Sequence, residues 1–381
     1  MLRCNILSIF LAFSLLAGAQ DWKVVRENPQ KAFPKTVAAG NYSGIAHLHD
    51  NIYAVVSDKS DSALYFNFRI LVNPKTGEPE QVENLGFTER TDGTLNDGKP
   101  WLGQEKGFDH EAIVKVSDST LVIASEGCCR LKEYPILPTS ADAAKVGYQQ
   151  NLWESRWPSS EFYPNYNFES LAFDSVRQYL WTIPESTLRK DGQPATPQNG
   201  LANQLRLMRL DWGKMKENRN KEEYSEQVSS KKDSRYMTPY AYQMDQPSTH
   251  KKADIYVMGV SELCALPDGQ LLVLEREAFI PKIKIGAFCK CKLYLINPLN
   301  SEEFSMKENF SSDTPFLKKR LLAEWKTGLS LSKRSFANYE GMCLGPKLED
   351  GSQVVILLSD SQDQYAGVLK DWFKTIVIRK E

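Results

Sequence analysis

The feature that most constrains this sequence is one hairpin phrase written five times. Its clearest copy is residues 338–364, NYEGMCLGPKLEDGSQVVILLSDSQDQ. A short strand opens at Glu340 (EGMCL), and Asp350-Gly351 is a dipeptide that readily turns with φ > 0. The strand that follows, VVILL, is apolar on both faces, so it belongs inside a sheet covered on both sides. It ends in Ser359-Asp360-Ser361. In an antiparallel hairpin the first residue of one strand neighbours the last of the other, so Glu340 and Asp360 share one end of the sheet.

Four earlier stretches repeat the phrase. Ser43 opens SGIAHLH, with a turn at Asp50-Asn51 and IYAVVS running to Asp58. Glu111 opens EAIVKV, with a turn at Asp118-Ser119 and TLVIAS running to Glu126. Glu169 opens ESLAF, with a turn near Asp174-Ser175 and YLWTIP running to Glu185. Glu262 opens ELCAL, with a turn at Asp268-Gly269 and QLLVL running to Glu275. With Ser43, Glu111, Glu169, Glu262 and Glu340 taken as equivalent, the copies begin 68, 58, 93 and 78 residues apart. A hairpin with a turn aspartate and a terminal acid, found five times, is an internal repeat.

Each hairpin is followed by two further alternating strands, such as LYFNFRILV and VENLGFTE after the first. The last copy has only KTIVIRK before the chain stops, and the orphan strand Asp21–Arg26 (DWKVVR) precedes the first copy. An N-terminal strand that completes the last blade closes a β-propeller and leaves no sheet edge open. The reading is therefore all-β: a single closed propeller over residues 20–381, five blades readable, a sixth allowed if one has diverged. Strand 21–26 is expected to pair with 374–379. A length of 381 residues and 41% hydrophobic content suit such an array.

Residues 1–19 read as an export signal. Arg3 supplies the charge, ILSIFLAFSLL the apolar segment and Ala17-Gly18-Ala19 the cleavage site. The apolar segment is short for a membrane span, and no other stretch is apolar enough to cross a bilayer. The expected location is secreted or periplasmic, as a monomer. With 47 basic and 48 acidic residues the net charge is −1, which excludes electrostatic nucleic-acid binding. Residues 214–235 and 301–316 read as solvated loops, and no stretch carries a helical period. Asn41 and Asn309 head N-x-S matches.

Beyond Cys4, which leaves with the signal, the cysteines are Cys128, Cys129, Cys264, Cys289, Cys291 and Cys343. No C-x-x-C occurs, so thiol metal binding is not favoured. Cys264 and Cys343 fall in inner strands of adjacent blades and are expected as buried thiols.

Inner strands line the central channel of a propeller, so the repeat carries nine carboxylates to one mouth. Of these, Asp58, Glu111, Glu169, Glu185, Glu262, Glu340 and Asp360 are candidate cation ligands. Glu126 and Glu275, with Arg276 and His110, are candidate catalytic groups. Unpartnered, such acids would raise one another's pKa values. Ca²⁺ is one remedy, since it takes six to eight oxygen ligands. Basic neighbours are another: Lys59 follows Asp58, Arg276 follows Glu275, and Arg130 and Arg189 stand four residues after Glu126 and Glu185. Lys59, Arg130 and Arg189 are the candidate substrate-binding cations. Acid, arginine and metal together suit a phosphate or another polyanion. The strand-opening glutamates also have a purely structural reading, as acceptors of backbone N–H bonds between blades. No G-x-S-x-G is present. His47 and His49 lie two apart on a strand, where edge exposure is the simpler reading.

The set DHEAI…LVIASEG, NFESLAF…LW…PE, ELCALPDGQLLVLER and NYEGMCLGPKLEDGS…LLSD resembles the phytase-like family, also described as esterase-like activity of phytase. The resemblance runs from about Asn41 to the C-terminus and is most specific in LLVLERE (271–277) and NYEGMCLGP (338–346). It implies a secreted or envelope β-propeller acting on phosphate or carboxylic esters. β-Propeller phytases hold several Ca²⁺ ions in a channel of acidic and basic ligands; the feature shared here is the acid-rich mouth. Two functions follow: a metal-assisted hydrolase of a small ester or phosphorylated ligand, or a non-catalytic propeller that binds a ligand or protein at the same rim.

Overall fold

The computed structural model describes residues 21–59, 64–86, 88–89, 95–96, 109–136, 152–219, 234–330, 334–362 and 369–381. Residues 1–19, read above as an export signal, lie outside the described residues. Five antiparallel sheets form a ring. Blade 1 is Tyr42–His49, Ile52–Ser57, Phe66–Val72 and Pro79–Asn84, from the inner strand outward. Blade 2 is His110–Lys115, Thr120–Ser125, Arg130–Pro135 and Glu154–Arg156. Blade 3 is Phe168–Asp174, Tyr179–Pro184, Gln204–Asp211 and Met237–Gln243. Blade 4 is Ile255–Ala265, Leu271–Ile280, Phe288–Ile296 and Lys319–Gly328. Blade 5 is Asn338–Lys347, Gln353–Asp360, Trp372–Lys380 and, as its outer strand, Trp22–Glu27. A two-stranded ribbon, Thr88–Glu89 with Leu95–Asn96, stands apart from them.

The ring closes as the sequence predicts. Trp22 pairs with Lys380 and Glu27 with Ile376, and Asp21 and Glu381 exchange backbone bonds of 2.7 and 3.0 Å. The turn aspartate of blade 4 adds a second fastening, for Asp268 accepts Trp22 Nε1–H at 2.8 Å. The repeated turn aspartates have a shared local cause. Asp350 accepts Ser352 N–H at 3.0 Å and Asp174 accepts Val176 and Arg177 N–H at 3.0 Å, which mimics one turn of backbone. Gly351 then takes φ 80°, open to glycine at no steric cost.

The core consists of five apolar clusters, one at each junction between neighbouring blades. The second strand of each hairpin feeds two of them. In blade 5, Val355 and Leu357 face blade 4, while Val354, Ile356 and Leu358 face blade 1. A period of two with both faces apolar explains why these strands read as unbroken hydrophobic runs. Cys264 and Cys343 are buried free thiols in the inner strands of blades 4 and 5, as expected.

One sequence expectation is corrected. Trp212–Arg219 is a helix of 8 residues, where solvated loop was expected from Lys214 onward. Two side chains fix it: Trp212 and Met215, three apart, both enter the cluster between blades 2 and 3. The rest of the charged excursion, 220–233, lies outside the described residues.

Candidate functional site

Every inner strand carries a β-bulge near its start, and the bulges set the chemistry of the channel mouth. The interrupted pairing leaves out Glu111 in blade 2, Glu169 in blade 3, Ser261 in blade 4 and Glu340 in blade 5. In blade 1 it leaves out Ser43 and Gly44. An extra residue re-aims its side chain, and here three glutamates turn into the channel. The residues that close the second strands follow from the same pairing. Backbone bonds join Asp58 to Asn41, Glu126 to Asp109 and Glu185 to Asn167, and strand register pairs Arg276 with Gly259 and Asp360 with Asn338.

This register corrects two expectations in blade 4. Glu262 and Glu275 each sit one residue away from the repeat positions, which Ser261 and Arg276 occupy. Because side chains alternate along a strand, a slip of one residue sends them elsewhere. Glu275 faces the junction with blade 3, where it accepts Tyr242 Oη–H at 2.7 Å and pairs with Lys319 at 2.6 Å. Glu262 is 1% exposed and accepts N–H bonds from Leu171 of blade 3 and Leu263 of its own strand, both 2.9 Å. The backbone of Met342 in blade 5 bonds it as well. Burial pushes its carboxyl well above the usual range while its backbone bonds tie three blades together. This is the structural role weighed above for the strand-opening glutamates.

The mouth therefore holds Asp58, Asp109, Glu111, Glu126, Glu169, Glu185, Glu340 and Asp360, with Arg276 at the one strand-closing position that is not acidic. Arg276 is 3% exposed and acts as a clamp across the ring. It pairs with Glu169 at 3.2 Å, with Glu185 at 2.5 Å and with Glu340, and donates to Asn338 at 3.0 Å. Burial alone would favour the neutral guanidine, but those three carboxylates hold it charged. Gly259 makes room, since a Cβ there would lie 2.3 Å from Glu185 Cγ. Burial raises Glu169, Glu185 and Glu340 as well, with Arg276 opposing.

Neighbouring blades meet at the mouth through the residue closing one and the residue opening the next. Glu126 accepts Asn167 N–H at 3.1 Å, Arg276 donates to Asn338, and the Glu185 carbonyl accepts Val260 N–H at 3.0 Å. The junction of blades 1 and 2 differs, because an aspartate replaces the asparagine. Ligand oxygens of Asp58, Asp109 and Glu111 all lie within 4.8 Å of one another. Asp58 Oδ1 is buried with no hydrogen-bond partner. Burial and the nearby Asp360 push Asp58 up to about 7, against the pull of Lys59 at 3.3 Å. Burial also raises Asp109, and it raises Glu111 well above its ordinary value with help from Glu340 and Asp58. An all-oxygen set this close, with one buried oxygen unsatisfied, fits a hard divalent cation with 2.3–2.6 Å bonds. Glu126 stands beside it, raised to about 7 by burial.

The other candidates are placed as follows. Lys59 is at the mouth with Asp58. His110 is 6% exposed and turned into blade 2, where its Nδ1 meets Ser125 Oγ at 2.8 Å. Burial, with Arg130 and Lys132, lowers its pKa to about 4, so it is neutral at pH 7. Arg130 lies inside blade 2, 2% exposed, and donates to Tyr134 Oη at 3.1 Å. Arg189 is exposed on the loop after Glu185, donates to Phe162 O at 2.6 Å and lies over the Tyr163 ring. Asp360 is 3% exposed and bonded by Gln362. Sequence reasoning missed Asp109 and Asn338 as site residues, although both stand in quoted motifs.

The sequence profile of the phytase-like family, described as esterase-like activity of phytase, matches residues 37–362. The chain belongs to the phytase-like family. No curated protein matches this phytase-like chain in sequence. Solved structures similar to it include a streptogramin B lyase at 10% identity, covering 93% of this chain and 98% of that one, with TM-score 0.32. The calcium-binding protein regucalcin of Agrobacterium tumefaciens is 12% identical, covering 91% and 93%, with TM-score 0.36. A duf4221 family member from Bacteroides vulgatus is 9% identical, covering 95% and 100%, with TM-score 0.35. The propeller assignment for this phytase-like chain rests on its own strand pairing. Among the described residues no helix is long and apolar enough to cross a membrane.

Proposed function

We propose that this phytase-like propeller is exported and binds Ca²⁺ at Asp58, Asp109 and Glu111, and that it hydrolyses a small phosphate or carboxylic ester at the channel mouth. The observation that carries the reading is the junction of blades 1 and 2, where Asp109 stands at the position that Asn41, Asn167 and Asn338 hold in blades 1, 3 and 5, so carboxylate meets carboxylate. Bound there, Ca²⁺ would polarise an ester and lower the pKa of the attacking water. Asp58, Asp109 and Glu111 would hold the ion once deprotonated. Glu126, titrating near neutrality, has the pKa of a general acid–base. Lys59 supplies a cation for a developing negative charge. Arg276 positions Glu169, Glu185 and Glu340 and offsets the repulsion among them.

A second reading, a cation-binding propeller without catalysis, is favoured by one specific observation: both Nη atoms of Arg276 are already taken by protein carboxylates and Asn338. The test is a hydrolysis screen over phosphomonoesters, phosphodiesters and short acyl esters, with Ca²⁺ and with chelator, for wild type and Glu126→Gln. Metal-dependent turnover that drops about 100-fold in the variant supports hydrolysis. No turnover alongside Ca²⁺ binding selects the second reading.

A further inference from the structure

Blade 4 is built differently from the other four. Its second strand does not stop at the mouth but runs past Arg276 to Ile280, and its third begins at Phe288. The second strands of the other blades end at Ser57, Ser125, Pro184 and Asp360, at or one residue before the rim position. The hairpin 281–287 therefore projects beyond the mouth. Its sequence, PKIKIGA, alternates lysine with isoleucine.

The tip exposes what a fold normally buries. Ile283 is 74% exposed, Ile285 48% and Ile255, paired with Ile280 at the base of the hairpin, 49%. Among the described residues these are the exposed isoleucines; the other exposed large apolar side chains are Val25, Val176, Leu201 and Leu321. The support underneath is firm. Phe279 and Phe288 stack at 5.2 Å, Gly286 N–H bonds Leu329 O at 2.8 Å, and Asp254 N–H bonds Ile280 O at 2.9 Å. Residues 251–255 and 281–287 together carry Lys251, Lys252, Lys282 and Lys284 against Asp254, a net charge of +3 on a chain of −1.

We propose that this tip docks the propeller onto an anionic lipid bilayer, mouth face toward the membrane. Apolar exposure by itself suits protein or lipid, but the lysines decide between them. Protein interfaces are depleted in lysine at their core. At a bilayer surface, isoleucines enter the acyl boundary while the ammonium groups of neighbouring lysines snorkel to the phosphates, and the tip alternates the two residue types.

The test is co-sedimentation of the full chain with vesicles of phosphatidylcholine mixed with phosphatidylglycerol, and of phosphatidylcholine alone. Wild type is expected to bind the anionic vesicles and to release as salt is raised. Ile283→Asp/Ile285→Asp and Lys282→Ala/Lys284→Ala should each weaken binding about tenfold or more. Val176→Asp, 69% exposed at the turn on the opposite face, is the control and should bind as wild type. Equal thermal melting of all variants keeps the comparison free of folding effects. Absent binding, equal binding to neutral vesicles, or equal binding by tip variants and wild type overturns the proposal. So does a lipid-free oligomer in sedimentation velocity that the tip substitutions dissolve, which would make the tip a contact between copies.

Discussion

Arg276→Met tests how the mouth is held together. The side chain is 3% exposed and shared by Glu169, Glu185 and Glu340. Methionine roughly keeps the volume and removes the charge, so three buried carboxylates lose their common partner. Breaking a buried pair from one side costs about 3–5 kcal/mol, because the remaining charge is left uncompensated. The carboxylates can escape by taking up protons, and this fixes the sign of the pH dependence. Their folded pKa values already lie above the unfolded ones, and loss of Arg276, which opposes that rise, lifts them further. A raised acid binds more protons folded than unfolded, so its stabilising contribution is complete below the unfolded value and is lost as pH rises through the folded one. The variant should therefore lose about 3–5 kcal/mol at pH 8 and only the hydrogen-bond share, about 1–2 kcal/mol, at pH 5. Urea unfolding followed by tryptophan fluorescence at both pH values measures this. A loss under about 1 kcal/mol at pH 8, or the same loss at both, would refute the clamp.

Other outcomes follow from the same structure. Glu262→Gln keeps the acceptor oxygen that the backbone N–H groups use and should cost under about 1 kcal/mol, whereas Glu262→Ala strands backbone N–H groups of blades 3, 4 and 5 and should cost about 2 kcal/mol or more by chemical denaturation. Glu275→Gln weakens the bonds to Tyr242 and Lys319 and should cost about 1–3 kcal/mol equally with Ca²⁺ and with chelator, since Glu275 faces away from the mouth. In chelator, wild-type stability should fall as pH rises from about 4 through about 7, the window set by Asp58 and Glu126, as read by thermal melting across that range.

Much of this was legible in the sequence because the repeat is local. Turn aspartates, doubly apolar second strands and the orphan strand at Trp22 each carry their own signal, so blade number and ring closure follow. The slip in blade 4 shows where such signals end. Acid identity alone aligns blade 4 on Glu262 and Glu275, one residue from the true positions. The bulge that decides the matter is a backbone feature. A better guide was the large side chain just before it: Tyr42, His110, Phe168, Val260 and Tyr339 align in the structure. Arg130 and Arg189 failed differently. Both stand four residues after a rim acid, but past a strand end spacing no longer fixes direction. Asp109 escaped notice because its meaning lies in a contrast with Asn41, Asn167 and Asn338 that only the assembled ring displays.

The central claim, a cation site created where Asp109 replaces an asparagine, is tested most directly by thermal melting of wild type and Asp109→Asn in Ca²⁺ and in chelator. Ca²⁺ bound only to the folded ring stabilises it by about 2.7 kcal/mol at a hundredfold excess over Kd. Asparagine suits the φ of 53° at this position and restores the amide that Asn41, Asn167 and Asn338 carry at three other junctions. The account predicts that wild type melts higher with Ca²⁺ than with chelator. It predicts that Asp109→Asn melts above wild type in chelator and no longer responds to Ca²⁺. A wild-type melting temperature indifferent to both, or a variant that responds to Ca²⁺ as wild type does, would contradict it.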